Sequence, residues 1–111
     1  LAPVVVAVAS PADSVAAFYG HAAAGRFDQA YGLWSDRMRA TYSRQENLDE
    51  RFDQTAGIAF EALYVVEQGS TTATVQANFV ETYDGGSSRR FIGYWDLTLV
   101  AGRWLLGAPH Y

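Results

Sequence analysis

The apolar residues of this chain keep one rhythm as far as Gly57 and another after it. Before that point they recur at intervals of three and four; from Ile58 onward they alternate, or run in β-branched and aromatic stretches broken by turn residues. A period of 3.6 and a period of 2 cannot share one element. The chain therefore divides into a helical first half and an antiparallel, strand-rich second half. The expected class is α+β, with three N-terminal helices packed on a curved four-stranded antiparallel sheet. At 111 residues with half of them hydrophobic, one core and one domain suffice.

The helical half can be read stepwise. Ser10 is placed as an N-cap, Pro11 at the first helical position and Asp13 in the first turn, where the positive end of the helix dipole favours an acid. Val15, Phe18, Tyr19, Ala22 and Ala23 form one stripe, and Gly25 ends the helix. Phe27, Ala30, Tyr31 and Trp34 repeat the spacing in a shorter helix that Gly32 weakens. Ser43 and Glu46 form a capping box ahead of Leu48, Phe52 and Ala56, with Gly57 as terminator of a third helix, and Arg37 to Tyr42 can add a turn between. Residues 1–9 are apolar and read as a linker or a processed leader remnant, with the domain proper at residues 10–111.

Strands are expected at Ile58–Glu67, Thr71–Tyr83, Arg89–Val100 and Arg103–Tyr111, joined by short turns at Gly69, Gly85-Gly86 and Gly102. In the second strand Ala73, Val75, Ala77 and Phe79 share the face that must meet the helices, and in the third Phe91, Trp95, Leu97 and Leu99 do. The opposite face then carries Arg90, Ile92, Tyr94, Asp96 and Thr98.

A net charge of −4 leaves no electrostatic footprint for nucleic acid or anionic lipid. Without cysteine there is no thiolate metal site and no thiol nucleophile, and the two histidines, His21 and His110, lack metal-ligand spacing. No metal or cofactor is expected, and no segment is long enough to insert in a bilayer.

Phe18-Tyr19, Gly25, Phe27, Ala30 and Tyr31, with a closing Gly102, Trp104 and Leu106, together resemble the nuclear transport factor 2-like superfamily of cystatin-like cones, which includes polyketide cyclase-like and ketosteroid isomerase-like enzymes. The resemblance is nearest to the non-catalytic domains appended to bacterial envelope or signalling proteins. It implies a cone enclosing a pocket, a homodimer through the outer sheet face, and an extracytoplasmic setting, with cytosolic residence left open.

With Trp104 and Leu106 facing the pocket as that resemblance implies, strand alternation carries Ala108 and His110 to the same face, and extending the second strand's apolar face adds Glu81 and Tyr83. Tyr19, Tyr31, Trp34, Glu81, Tyr83, Trp95 and His110 are thus the candidate lining of a pocket for a small apolar or mixed-polarity ligand. A histidine, a carboxylate and a phenol could also move a proton, which defines the alternative: a small isomerase, cyclase or dehydratase acting on a hydrophobic carbonyl compound. Against both stand ordinary solvation of Glu81 and Tyr83 beside a turn, fraying at His110, and aromatics that serve only as core. Asp96 is assigned to the outer face, paired across strands with an arginine or lying at a dimer interface. His21 is a solvent-facing or rim residue, and Arg89-Arg90 a solvated strand start. The function expected is ligand binding or protein interaction without catalysis.

Overall fold

The computed structural model describes residues 10–111; the reading of residues 1–9 as linker or leader lies outside them. Helix α1 (Pro11–Ala23) begins as its sequence dictates. Ser10 Oγ accepts from the Ala12 amide, and the Asp13 carboxylate accepts from the Ser10 amide, closing a capping box. Its stripe of Val15, Phe18, Tyr19 and Ala22 is buried.

The next segment is more broken than expected. Helix α2 (Phe27–Tyr31) stops short of Trp34, which instead bridges to Leu106. Helix α3 (Asp36–Thr41) is capped by Ser35, whose Oγ accepts from the Met38 amide. The third expected helix keeps its cap, with the Glu46 amide donating to Ser43 Oγ, but forms a single π-helical turn, Gln45–Asp49, followed by turns. The count of three helices is corrected to α1, α2, α3 and this turn.

The antiparallel sheet has five strands: β1 (Thr55–Gln68), β2 (Thr72–Tyr83), β3 (Ser88–Phe91), β4 (Tyr94–Val100) and β5 (Arg103–His110), in the order β1-β2-β4-β5 with β3 also on β2. Strands β3 and β4 are the single third strand of the sequence reading, interrupted at Ile92-Gly93. A methyl group on Gly93 would collide with the His110 carbonyl oxygen and the Tyr111 ring. The break is where the end of the chain lies down on its neighbour. Strand β1 starts at Thr55, earlier than expected, and takes three bulges against β2, each adding twist.

One further bulge decides where the end of β5 points. Leu97 pairs with Leu106 but Asp96 pairs with Ala108, so Gly107 is an extra residue. Before it, Trp104 and Leu106 face the helices; after it, Pro109 and Tyr111 take that direction and His110 turns outward. A one-residue insertion exchanges the two faces of everything beyond it.

The core lies between α1 and the sheet. Tyr19 meets Phe18, Phe52, Phe60, Phe79 and Trp95 at ring-centroid distances of 4.6–6.2 Å, most of them edge to face. Trp34 is buried in the same core, tilted against Tyr31 at a ring-centroid distance of 5.2 Å, and its Nε1 has no hydrogen-bond partner among the described residues.

Candidate functional site

The α1 stripe, the π-helical turn and the inward face of the sheet leave a cleft of about 280 Å³. Phe18, Phe52, Phe79 and Phe91 supply apolar walls, and Tyr19, Tyr42, Asn47, Arg51, Trp95 and Tyr111 supply its polar groups. Phe79 and Phe91 stack at 5.0 Å, and Tyr111 packs edge-on against Phe79 at 5.8 Å.

Tyr19, Trp95 and Tyr111 are each held by a hydrogen bond within the protein. Trp95 Nε1 donates to the Tyr19 hydroxyl at 3.1 Å. The Tyr111 hydroxyl donates to the Ala77 carbonyl at 2.8 Å. Burial raises the Tyr19 hydroxyl well above the usual phenol range, and the neighbouring Tyr111 raises it further. Tyr111 is raised too, again chiefly by burial of its hydroxyl. Both are neutral phenols at physiological pH.

Arg51 follows the π-helical turn, and its guanidinium lies over the rings of Phe52 at 4.5 Å and Phe91 at 5.2 Å. It forks onto Glu81, Nη1 to Oε2 at 2.8 Å and Nη2 to Oε1 at 2.7 Å, while Thr55 Oγ1 donates to Oε2 at 2.6 Å. The Glu81 hydrogen bonds hold Arg51 firmly protonated. Glu81 itself is fully buried. Alternation placed it on the inward face as expected; ordinary solvation beside the turn is corrected, because its partners come from a segment 26 to 30 residues earlier in the chain.

Of the residues singled out in the sequence, Tyr19 and Trp95 line the cleft, and Glu81 stands behind Arg51. Tyr83 is half-buried beyond the cleft lining, at the end of β2. Tyr31 lies outside the cleft, under Arg39 at 4.2 Å and Arg44 at 5.1 Å, with Trp34 beside it. The placement of His110 is corrected by the Gly107 bulge. Its Nε2 lies 2.7 Å from Asp96 Oδ2 and its ring stacks on Tyr94 at 4.4 Å, on the face away from the helices. Asp96 is on that outer face as expected, but its partner is His110 rather than an arginine. Arg90 pairs with Glu61 at 2.7 Å, and His21 Nδ1 accepts from Arg26 Nε.

Sequence reasoning missed Arg51, Phe52 and Tyr111 as cleft residues. For Tyr111 a signal existed: an isolated glycine inside a strand pattern, here Gly107, marks a bulge. Among the described residues no group of three or more acidic, histidine or cysteine side chains could hold a metal, and no helix is long and apolar enough to cross a membrane.

No family model matches the sequence, and neither does any curated protein. The fold is shared with the solution structure of a SEC-C motif containing protein from Rhodopseudomonas palustris, at a TM-score of 0.70 and 17% identity, over 92% of this chain and 80% of that one. This finding overturns the resemblance to the nuclear transport factor 2-like superfamily: the matching structure belongs to a different fold family, and no family or curated match supports the earlier assignment. What the chain shares with its structural neighbour is an α+β fold of short helices against an antiparallel sheet.

Proposed function

We propose that this domain binds a small, flat, largely apolar molecule in the cleft between α1, the π-helical turn and the sheet, without transforming it. The observation that carries the reading is the cleft itself: aromatic walls with a few convergent polar groups, the composition of ligand sites in general. Its volume falls just below the ~300–1,000 Å³ typical of such sites, which suits a molecule of one or two rings.

Three features favour binding over catalysis. Glu81, the one fully buried carboxylate among the described residues, spends both oxygens on Arg51 and Thr55 and does not line the cleft. His110 is held by Asp96 on the other face of the sheet. Tyr19 and Tyr111 are held neutral by burial and are poor bases. The test is a fragment screen followed by two-dimensional NMR. Binding of one- or two-ring aromatic fragments is expected to move the Trp95 indole N–H signal and the Arg51 side-chain signals, leaving Trp104 still. Shifts confined to Tyr64, Tyr94 and His110, or turnover of a carbonyl substrate, would sink the reading.

A second reading draws on the outer sheet face, where Tyr64, Ile92 and Tyr94 stand 54%, 68% and 40% exposed. Apolar side chains gathered on one face favour self-association through that face.

A further inference from the structure

The polar groups of the cleft carry a charge balance that selects among ligands. Arg51 alone would favour a carboxylate, since a guanidinium recognises that group in a bidentate fork. Here the fork is already occupied. Nη1 and Nη2 each give a hydrogen to Glu81, and the remaining N–H groups of the guanidinium are unspent. Glu81 cancels the charge, and it has no solvent contact through which its own field could be screened. A ligand carboxylate seated against Arg51 would face the buried charge of Glu81 behind it.

The rest of the site argues the same way. Tyr19 and Tyr111 are both pushed toward their neutral forms by burial, so the cleft already resists one kind of negative charge on an aromatic ring. The walls are chiefly aromatic, and Arg51 is the only cation lining the cleft among the described residues, the Arg89 guanidinium lying over the Phe91 ring at 5.3 Å without entering the lining. The remaining Arg51 hydrogens can still donate to a neutral oxygen, which brings no charge to be desolvated.

From the Arg51–Glu81 pair and the aromatic walls we infer that the cleft selects an uncharged planar ligand carrying a hydrogen-bond acceptor, such as a ketone, amide or ester oxygen, and discriminates against its carboxylate counterpart. This rests on the reading of the cleft as a ligand site. Glu81 is the specificity-determining residue, acting through Arg51 without touching the ligand.

The test uses matched pairs on the intact domain: acetophenone against benzoate, and 2-acetylnaphthalene and 2-naphthamide against 2-naphthoate, each titrated at pH 7 while the Trp95 indole signal is followed. The uncharged member of each pair is expected to bind about tenfold tighter or more. Glu81→Gln keeps the shape and an acceptor for Arg51 but removes the negative charge. In this variant, checked for folding by thermal melting, the preference is expected to shrink or invert toward the carboxylate. Equal or tighter binding of the carboxylates by the unaltered domain would overturn the inference and leave the ligand site standing. An unchanged preference in a folded Glu81→Gln protein would overturn the role of Glu81. If no member of any pair moves the Trp95 signal, the ligand site itself is overturned. Should Glu81→Gln fail to fold, the pairs on the unaltered domain still decide the charge preference.

Discussion

Arg51 and Glu81 meet across the seam between the helical half and the sheet, and the pair holds both halves together as well as shaping the cleft. Removing one member leaves the other buried without compensation, which generally costs about 3–5 kcal/mol. Arg51 keeps 33% of its side chain in solvent, so the lower end of that range applies to Arg51→Ala, about 3 kcal/mol, read from urea unfolding. Replacing both, Arg51→Met with Glu81→Leu, is expected to recover most of the loss, because apolar residues of similar size substitute well for a buried ion pair. If the double variant is no more stable than Arg51→Ala, the cost is not one of unpaired charge. Tyr19 ties stability to alkaline pH. Its folded-state affinity for the proton exceeds that of the unfolded chain, so the folded protein binds more protons once pH passes 10.0, the ordinary value. Stability is therefore full below that pH and is lost above it, by up to about 1.4 kcal/mol per pH unit. Tyr111 adds to this less, since 51% of it is exposed. Tyr19→Phe should flatten the alkaline loss in stability measurements between pH 9 and 11. At this scale the sequence was half legible. Alternation found the inward direction of Glu81 and Trp95, but it cannot show that a guanidinium from a distant turn will arrive to neutralise a carboxylate.

At the scale of elements, signals that act within a few residues were read correctly. The Ser10 capping box, the α1 stripe and the alternation of β2 all appear where local chemistry puts them. The misread elements are those set by contacts distant in sequence. The expected helix ending at Gly57 becomes a π-helical turn and gives way to β1 at Thr55, whose hydroxyl is drawn to Glu81. The third strand breaks at Gly93 because Tyr111 and the His110 carbonyl crowd it. Gly93→Ala is thus expected to cost at least about 1–3 kcal/mol, the usual range for overpacking, and to displace Tyr111 from the cleft. An unaltered melting temperature in that variant would contradict the close approach. The β4–β5 hairpin carries the opposite opportunity. Ala101 sits at φ 52°, followed by Gly102 at φ 78°, the pair of left-handed residues that a tight hairpin needs. Ala101→Gly relieves the strain on a Cβ-bearing residue and should raise stability by about 0.5–1 kcal/mol in thermal unfolding.

For the whole molecule, the sheet separates two surfaces of different composition. The inner surface holds the cleft; the outer one carries Tyr64, Ile92, Tyr94 and the Asp96–His110 pair. The Gly107 bulge assigns His110 to the outer surface, so His110→Ala is expected to change ligand affinity in the cleft by less than about twofold. A tenfold loss would return His110 to the site. Outer-face association is checked by sedimentation velocity: a concentration-dependent dimer that Tyr94→Asp abolishes is expected, and a monomer at high concentration would dismiss it. The class, α+β with helices before an antiparallel sheet, was legible because periodicity is a property of the chain itself. Family membership was not, since the aromatic and glycine spacings that suggested it are what any helix and hairpin of this size require.

The most direct measurement is a crystal structure of the domain with 2-acetylnaphthalene or 2-naphthamide bound. The expected result is the ring system between Phe18, Trp95 and Phe91, with its oxygen within hydrogen-bonding distance of Arg51 and the Arg51–Glu81 fork intact. A cleft filled by its own aromatic side chains, or a ligand seated on the outer face beside His110, would contradict the account.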